Sequence, residues 1–369
     1  MEIREDQDIT YTQRALDLAN SGKGLVSPNP LVGSVIVSAD CEVVGEGTYI
    51  KDDVTHAEII ALEQAGDRAK GGTAYVSLEP HDHHGKTPPC TEVLINARIS
   101  RVVCPIEDPN PLVSGKGFQR LREAGVEVSV GLLAKEAERQ NEKFICWHKK
   151  GRPFVHLKLA MSLDGRISLR DSVSTALSGD QARVRVQSLR HEHDAILVGS
   201  NTAVTDNPSL TDRSGLPRRR PLARIILDNR LRLPLDSTLA TTTDEAPTIV
   251  FTNCIDPQPV RKLQDKGVTV VPIEGGARNL EAVLQELYKL DIQSVLVEGG
   301  TGVAGAFVDA QLVDKVTLLA APLIIGGSEA PVSVGGKGAE TLADALRLED
   351  LTVTPHGRDI EITGYPAYD

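Results

Sequence analysis

Aromatic residues are scarce in this 369-residue chain, at 3%, with one Trp and five Phe. Its cores must therefore be built from Val, Leu, Ile and Ala, and no aromatic and basic strip of the kind that stacks single-stranded nucleic acid is visible. Positive charge is also in deficit. Forty Lys and Arg face 51 Asp and Glu, a formal net charge of −11, which repels a phosphate backbone and argues against a nucleic-acid partner. A small anion needs only two or three well-placed arginines and stays open. Long apolar runs are missing: none reaches about 18 residues, so no membrane span is expected. The opening "MEIREDQDITYTQ" is acidic and polar, without the basic start and apolar run of a signal peptide. The five cysteines (Cys41, Cys90, Cys104, Cys146, Cys254) are odd in number and widely scattered. That excludes a disulfide framework and points to reduced thiols in a cytoplasmic protein.

What is present is an alternation. The length exceeds one ordinary core and suggests two domains. A helix over 10–22 precedes two short strands, "LVGSVIVS" and "EVVGEGTY". "HAEIIALEQAG" reads as a helix, "GTAYVSLEP" as a strand, "TEVLINARIS" as a helix and "RVVCPI" as a strand. Such alternation predicts an α/β sandwich with a largely parallel sheet. "KKGRPF" (149–154) is the joint, giving domains 1–149 and 150–369. Beyond it, strands "DAILVGS", "ARIILD", "TIVFT", "TVVPIE" and "SVLVEGG" alternate with helices. "KVTLLAAPLIIGG" and "DIEITGY" follow without intervening helices, which predicts antiparallel additions at one edge of a parallel sheet. The basic cluster "RSGLPRRRP" (213–221) reads as a solvated loop.

The chemistry concentrates first in "HAE" (56–58) and "EPHDHHGKTPPC" (79–90). Zinc deaminases combine a His or Cys, a Glu two residues on, and a downstream pair of ligands. Three protein ligands leave a fourth tetrahedral position for water, whose pKa the metal lowers toward neutrality. A carboxylate that is not a ligand must then carry protons. Glu58 stands two residues from His56, and Cys90 opens the next predicted helix, where thiolate is favoured. "VEGGTGVAGAF" separately places a Gly-rich turn between a strand and a helix, where Gly300, Thr301 and Gly302 let backbone approach a phosphate. A tight packing turn would look the same. Glu298, at the strand end before it, suits a sugar hydroxyl.

These segments, with "SPNPLVGSVIV", "GEGT", "RPFVHLKLAMSLDGRIS", "DAILVGSNTAVTDNPSLTDR", "ARIILDNRLRLP" and "LVDKVTLLAAPLIIGG", resemble one family along nearly the whole chain: the bifunctional deaminase/reductase of riboflavin biosynthesis. The resemblance implies a cytidine-deaminase-like three-layer domain followed by a dihydrofolate-reductase-like α/β domain. It implies hydrolytic deamination of 2,5-diamino-6-(5-phosphoribosylamino)pyrimidin-4-one, then reduction of the ribosyl side chain to ribityl by NADPH. Members usually read E-P-C-x-H-x-G-x-T-P-P-C, so the zinc ligands carry over to His56, His81 and Cys90, with Glu58 as proton shuttle and Asn29 in the pyrimidine pocket. A His stands here for the first Cys. Imidazole is a competent ligand, with Zn–N ~0.2–0.3 Å shorter than Zn–S, and being neutral it leaves one less negative charge at the site. His83 and His84 are fallback ligands whose expected role is hydrogen bonding within the loop or contact with substrate. Tyr49 stands where members commonly carry a His.

In the second half, the resemblance implies cofactor contacts at Thr202, Asp206, Asn229 and Ala160. Substrate contacts fall at Ser174, Arg190, Leu210 and Arg213, where an arginine fork suits a phosphate. Ala176 replaces a tryptophan expected to pack against the cofactor. A homo-oligomer is also expected. Three alternatives stand beside this reading: a reductase with an inert deaminase half, a nucleic-acid-editing zinc deaminase, and a non-catalytic nucleotide sensor.

Overall fold

A computed structural model of the chain describes residues 2–84, 88–171, 173 and 175–368, with side chains from residue 5 onward. It divides into Met1–Gly151 with Pro217–Arg219, and Arg152–Leu216 with Arg220–Asp369.

The first unit runs α1 (Glu2–Asn20), β1 (Gly33–Val37), β2 (Val43–Thr48), α2 (Ala57–Ala65), β3 (Thr73–Val76), α3 (Cys90–Asn96), β4 (Arg101–Cys104), α4 (Lys116–Glu123), β5 (Glu127–Val130), α5 (Ala134–Gln140) and α6 (Glu142–Lys150). The sheet order is β2-β1-β3-β4-β5. β1 pairs antiparallel with both β2 and β3, while β3, β4 and β5 are parallel. The sheet is therefore mixed rather than largely parallel. The short connection from β1 to β2 permits only an antiparallel pair, β1 also runs antiparallel to β3, and helical crossovers make β3, β4 and β5 parallel to one another. Alternate residues serve opposite faces. Ile36, Ala74 and Val102 join Ala61, Leu94 and Leu121 of the helices in one core. Val35, Val37, Tyr75 and Val103 pack with Ala15 of α1 in another. This is a helix–sheet–helix sandwich.

The "GEG" of β2 sets how closely α2 can lie on the sheet. A Cβ at Gly45 would stand 1.9 Å from Ala61 O, and one at Gly47 2.1 Å from Ala57 O. Only glycine permits that approach, which fixes the start of α2, where His56 and Glu58 sit.

The second unit runs β6 (Phe154–Ser162), α7 (Asp180–His191), β7 (Ala195–Gly199), α8 (Ser200–Asp206), β8 (Ala223–Leu227), α9 (Thr238–Thr241), β9 (Thr248–Thr252), α10 (Pro257–Gln264), β10 (Thr269–Pro272), α11 (Leu280–Lys289), β11 (Ser294–Val297), α12 (Thr301–Asp309), β12 (Lys315–Ala321), β13 (Arg347–His356) and β14 (Asp359–Ala367). Its sheet order is β10-β9-β8-β7-β11-β6-β12-β14-β13. Pairs from β10 through β12 are parallel, so "KVTLLAA" extends the parallel sheet rather than adding antiparallel to it; β14, from "DIEITGY", adds antiparallel at that edge as expected, with β13, not expected, beyond it. Buried strand residues such as Val155, Leu197, Ile225 and Val295 pack against Val283, Leu287 and Phe307 of helices α11 and α12. On the other face Ile196, Val198, Ile226 and Val250 form a second core.

The basic cluster at 213–221 is more engaged than a solvated loop. Arg219, in the first unit, donates to Ser27 O at 2.8 Å. Arg220, in the second, donates to Asp291 O at 2.9 Å.

Candidate functional site

In the first unit a cavity of about 440 Å³ opens among Asn29, Tyr49, His56, Glu58, His81, His83, Asp108 and Asn110. His56 is the N-cap of α2, with extended backbone and no side-chain cap bond, so its imidazole is free to turn into the cavity. Cys90 is the first residue of α3 and fully buried. His81 lies just beyond β3 and is 9% exposed. The candidate donor atoms of His56, His81 and Cys90 all lie within 4.8 Å of one another, with Cys90 Sγ 3.4 Å from His56 Nδ1. A tetrahedral zinc needs such atoms roughly 3.3–3.8 Å apart, from metal–ligand bonds of about 2.0–2.3 Å. The two imidazoles and one thiol, drawn from three separated chain segments, fit that ion.

Glu58 is 3% exposed, and its Oε2 has no hydrogen-bond partner. Leaving a buried carboxylate oxygen unpaired costs on the order of 1–3 kcal/mol or more, so it marks a place where a ligand or water completes the site. The surroundings set the charge states. Burial, then the neighbouring His56 and His83, lower the His81 pKa to about 4, which keeps its ring neutral and its lone pair available. Burial, then Glu58, push the Cys90 thiol well up.

The frame around the cavity is polar and rigid. Glu79 is buried and accepts from four backbone N–H groups: Asp108 at 3.1 Å, Gly115 and Gly117 at 2.9 Å each, and Phe118 at 3.3 Å. It thereby pins the chain two residues before His81 to the start of α4. Thr91 Oγ1 donates to Asp82 Oδ1, and Thr91 N to His81 O at 3.3 Å, hooking the loop onto α3. Asp108, which lines the cavity, has its pKa raised to about 6, by burial first and then by Glu79, against a bond from Asn110 N. Sequence reasoning passed over Glu79 and Asp108. Nothing in one sequence separates a buried carboxylate that organises a loop from an exposed one.

In the second unit, cavities among the described residues line the strand ends. One of about 450 Å³ brings together Thr202, Asp206, Gly300, Thr301, Gly302 and Arg232. A second, of about 500 Å³, shares Arg232 and Gly302 and adds Asn229, Arg230 and Arg278. A third, of about 280 Å³, holds Ala160, Ala176, Arg190, Arg213, Glu298 and Lys158. Gly300 is the N-cap of α12, and a Cβ at Gly302 would meet nothing within 4 Å. Packing does not demand glycine at 302, and the open space there fits the close approach of a bound nucleotide.

Not every expected residue keeps its expected freedom. Arg190 and Glu298 bind each other, at 2.9 and 3.1 Å, with Lys158 3.6 Å from Glu298. Burial would raise the Glu298 pKa, but Lys158 and Arg190 hold it down to about 2. Asn229 Oδ1 accepts from Ala277 N at 2.6 Å, so that oxygen shapes a loop. Leu210 packs in the core with Ile196 and Val198, 4% exposed, and lines none of these cavities. Ser174 lies outside the described residues. Lys158, Arg230, Arg232 and Arg278 were missed, although Arg230 and Arg232 stand in the quoted "DNRLRLP".

A histidine–cysteine cluster beside a buried glutamate, in one α/β unit, and a glycine-lined cleft, in another, suit a zinc-type deaminase joined to a reductase. Known proteins agree. The cytidine and deoxycytidylate deaminase zinc-binding region matches residues 5–106, and the RibD C-terminal domain matches residues 153–362. The riboflavin biosynthesis protein RibD of Bacillus amyloliquefaciens is 40% identical over 96% of this chain and 95% of its own length. That of Escherichia coli is 39% identical over 96% and 98%. The structure of Acinetobacter baumannii RibD superposes with a TM-score of 0.87 at 36% identity, covering 99% of this chain and all of that one. A Thermotoga maritima diaminohydroxyphosphoribosylaminopyrimidine deaminase/5-amino-6-(5-phosphoribosylamino)uracil reductase follows at 0.85 and 33% identity, with the same coverage. The chain belongs to the RibD family of riboflavin biosynthesis, with a deaminase domain followed by a reductase domain. The nucleic-acid-editing and sensor alternatives fall away. No described helix is long and apolar enough to cross a membrane.

Proposed function

We propose that the first domain deaminates 2,5-diamino-6-(5-phosphoribosylamino)pyrimidin-4-one at C2, and that the second reduces the ribosyl group of the product to ribityl with NADPH. The observation that carries the first half is the gathering of His56, His81 and Cys90 donors within 4.8 Å, beside a Glu58 oxygen that nothing else satisfies. Zinc, when held by those three residues, supplies the Lewis acidity that makes water a nucleophile at neutral pH. Glu58 takes a proton from that water and delivers it to the departing amine. A C–O bond forms at C2, the C–N bond breaks and ammonia leaves. Asn29, which lines the cavity, orients the pyrimidine edge.

In the second domain the dinucleotide, when bound, supplies the hydride that opens the ribosyl ring. Gly300 and Gly302 admit its phosphates to the start of α12. Arg230, Arg232 and Arg278 around the adjoining cavity supply cations for an additional phosphate, which favours NADPH over NADH. Glu298 is shared between Arg190 and Lys158, which leaves that cluster with one net positive charge beside Arg213 to meet the substrate's phosphate and hydroxyls.

The purified chain is tested with the diaminopyrimidinone substrate for zinc content, ammonia release and NADPH oxidation. Zinc near one per chain with both activities is the expected result. NADPH oxidation on the deaminated compound alone, without zinc or ammonia release, would leave a reductase with an inert first half. Replacing Arg230 and Arg278 by Ala is expected to weaken NADPH while leaving NADH unchanged; equal losses for both would remove the preference.

A further inference from the structure

Tyr49 follows the last residue of β2, is 7% exposed, and lines the zinc-site cavity. Its ring lies against His56, with centroids 5.3 Å apart and planes tilted by 59°. Asn29 Nδ2 donates to Tyr49 Oη at 2.8 Å. The phenol is thus an acceptor toward Asn29, and among the described residues nothing accepts its own hydrogen. A phenol is protonated at neutral pH, so the group has an O–H to give. The carboxamide, with one N–H committed to the phenol, is held in one orientation with Oδ1 still unused.

We propose that Tyr49 is a positioning and specificity residue, forming with Asn29 a paired donor and acceptor that selects the N3–H, C4=O edge of a pyrimidin-4-one. Asn29 Oδ1 accepts from N3–H, and the Tyr49 hydroxyl donates to the C4 oxygen. A 4-aminopyrimidine such as cytosine presents the reverse pattern, an acceptor at N3 and donors at C4. It is rejected because each buried partner would meet its own kind. The proposal rests on the substrate reading above and extends it to the atoms that are read.

The test compares the full-length chain with Tyr49→Phe and Asn29→Asp. Tyr49→Phe is expected to raise KM for the diaminopyrimidinone about tenfold, the loss of one hydrogen bond, with kcat within about threefold and zinc content unchanged. Asn29→Asp, which has no N–H to give the phenol, is expected to raise KM at least as much. The double variant is expected to lose less than the product of the two. A Tyr49→Phe KM within about twofold of the parent, with the parent active, overturns the role of Tyr49 and leaves the deaminase reading standing. Zinc loss in Tyr49→Phe, or simple multiplication of the two effects, would assign the ring to packing and overturn the pairing. A parent chain that neither binds the substrate nor releases ammonia brings down the deaminase reading, and the proposal with it.

Discussion

The imidazoles of His56 and His81 lie with ring centroids 4.6 Å apart and planes tilted by 36°, although 24 residues separate them in the chain. Both rings line the cavity, their donor atoms gather with Cys90 Sγ, and Glu58, two residues after His56, lines the same cavity. Position 81 therefore brings a ring nitrogen within reach of the donors of His56 and Cys90.

On the proposed reading His81 is a zinc ligand, and its removal has a direct readout. His81→Ala is expected to weaken zinc binding by at least about 100-fold, comparable to or beyond what loss of a supporting contact costs. Metal content after dialysis against a graded chelator measures it. His81→Cys is expected to keep zinc and add one negative charge. That charge disfavours ionisation of water at the site, so the acid limb of the ammonia-release profile should move to higher pH. Unaltered zinc content in His81→Ala would remove this residue from the ligand set.

Glu58 separates proton transfer from metal binding. Its buried Oε2 has no partner, and the carboxylate is not one of the three clustered donors. Glu58→Gln is expected to retain zinc, to lose about 10²–10⁴-fold in deamination, and to leave reduction of the deaminated intermediate unchanged. Because the amide removes a buried charge, the metal-free variant should melt no lower than the metal-free parent. Zinc content, ammonia release and NADPH oxidation are read on the same preparation.

Much of this was legible because periodicity and spacing carry it. Strands such as "ARIILD" and "SVLVEGG" announce themselves as short buried runs, and His56, Glu58 and Cys90 stand at element starts that pattern alone locates. Other features depend on the partner across the fold. β13, "RLEDLTVTPH", is an edge strand with nearly every residue exposed, so it lacks the apolar alternation that marks a strand. The mixed order of the first sheet turns on a short β1–β2 connection whose consequence only pairing reveals. Arg190 and Glu298, each expected to meet a ligand, instead bind each other across 107 intervening positions. Glu79 looks like any acidic residue until four amides converge on it.

The close approach of β2 and α2 gives a structural prediction. A Cβ at Gly47 would lie 2.1 Å from Ala57 O, a backbone atom that cannot swing aside. Gly47→Ala must push the start of α2 outward, carrying His56 and Glu58 with it. The expected cost is about 1–3 kcal/mol of stability, with lower zinc affinity as well. Urea denaturation with and without added zinc checks both. A variant with parental stability and zinc affinity would show that the helix can shift without disturbing the site.

Asp108 yields a prediction with a definite pH window. Its carboxyl, 8% exposed, has a folded-state pKa raised to about 6, chiefly by burial, whereas an unfolded chain ionises near about 3.9. Between these values the folded state binds the proton that the unfolded state releases, so stability falls as pH rises from about 4 to about 6 and stays lower above. Asp108→Asn removes the ionisation and keeps an Oδ1 for the Asn110 N–H, now bonded at 2.8 Å. The variant should match its parent near pH 4 and exceed it by about 1–3 kcal/mol at pH 7.5, from a shift of about two pKa units discounted for relaxation. Urea midpoints at the two pH values decide it; an equal difference at both would remove ionisation as the cause. Because Asp108 lines the deaminase cavity, the same substitution should lower ammonia release while it stabilises the fold. A gain in stability with full activity would show that the carboxylate is carried there without use, whereas a gain with lost activity ties its unfavourable burial to the chemistry of the site.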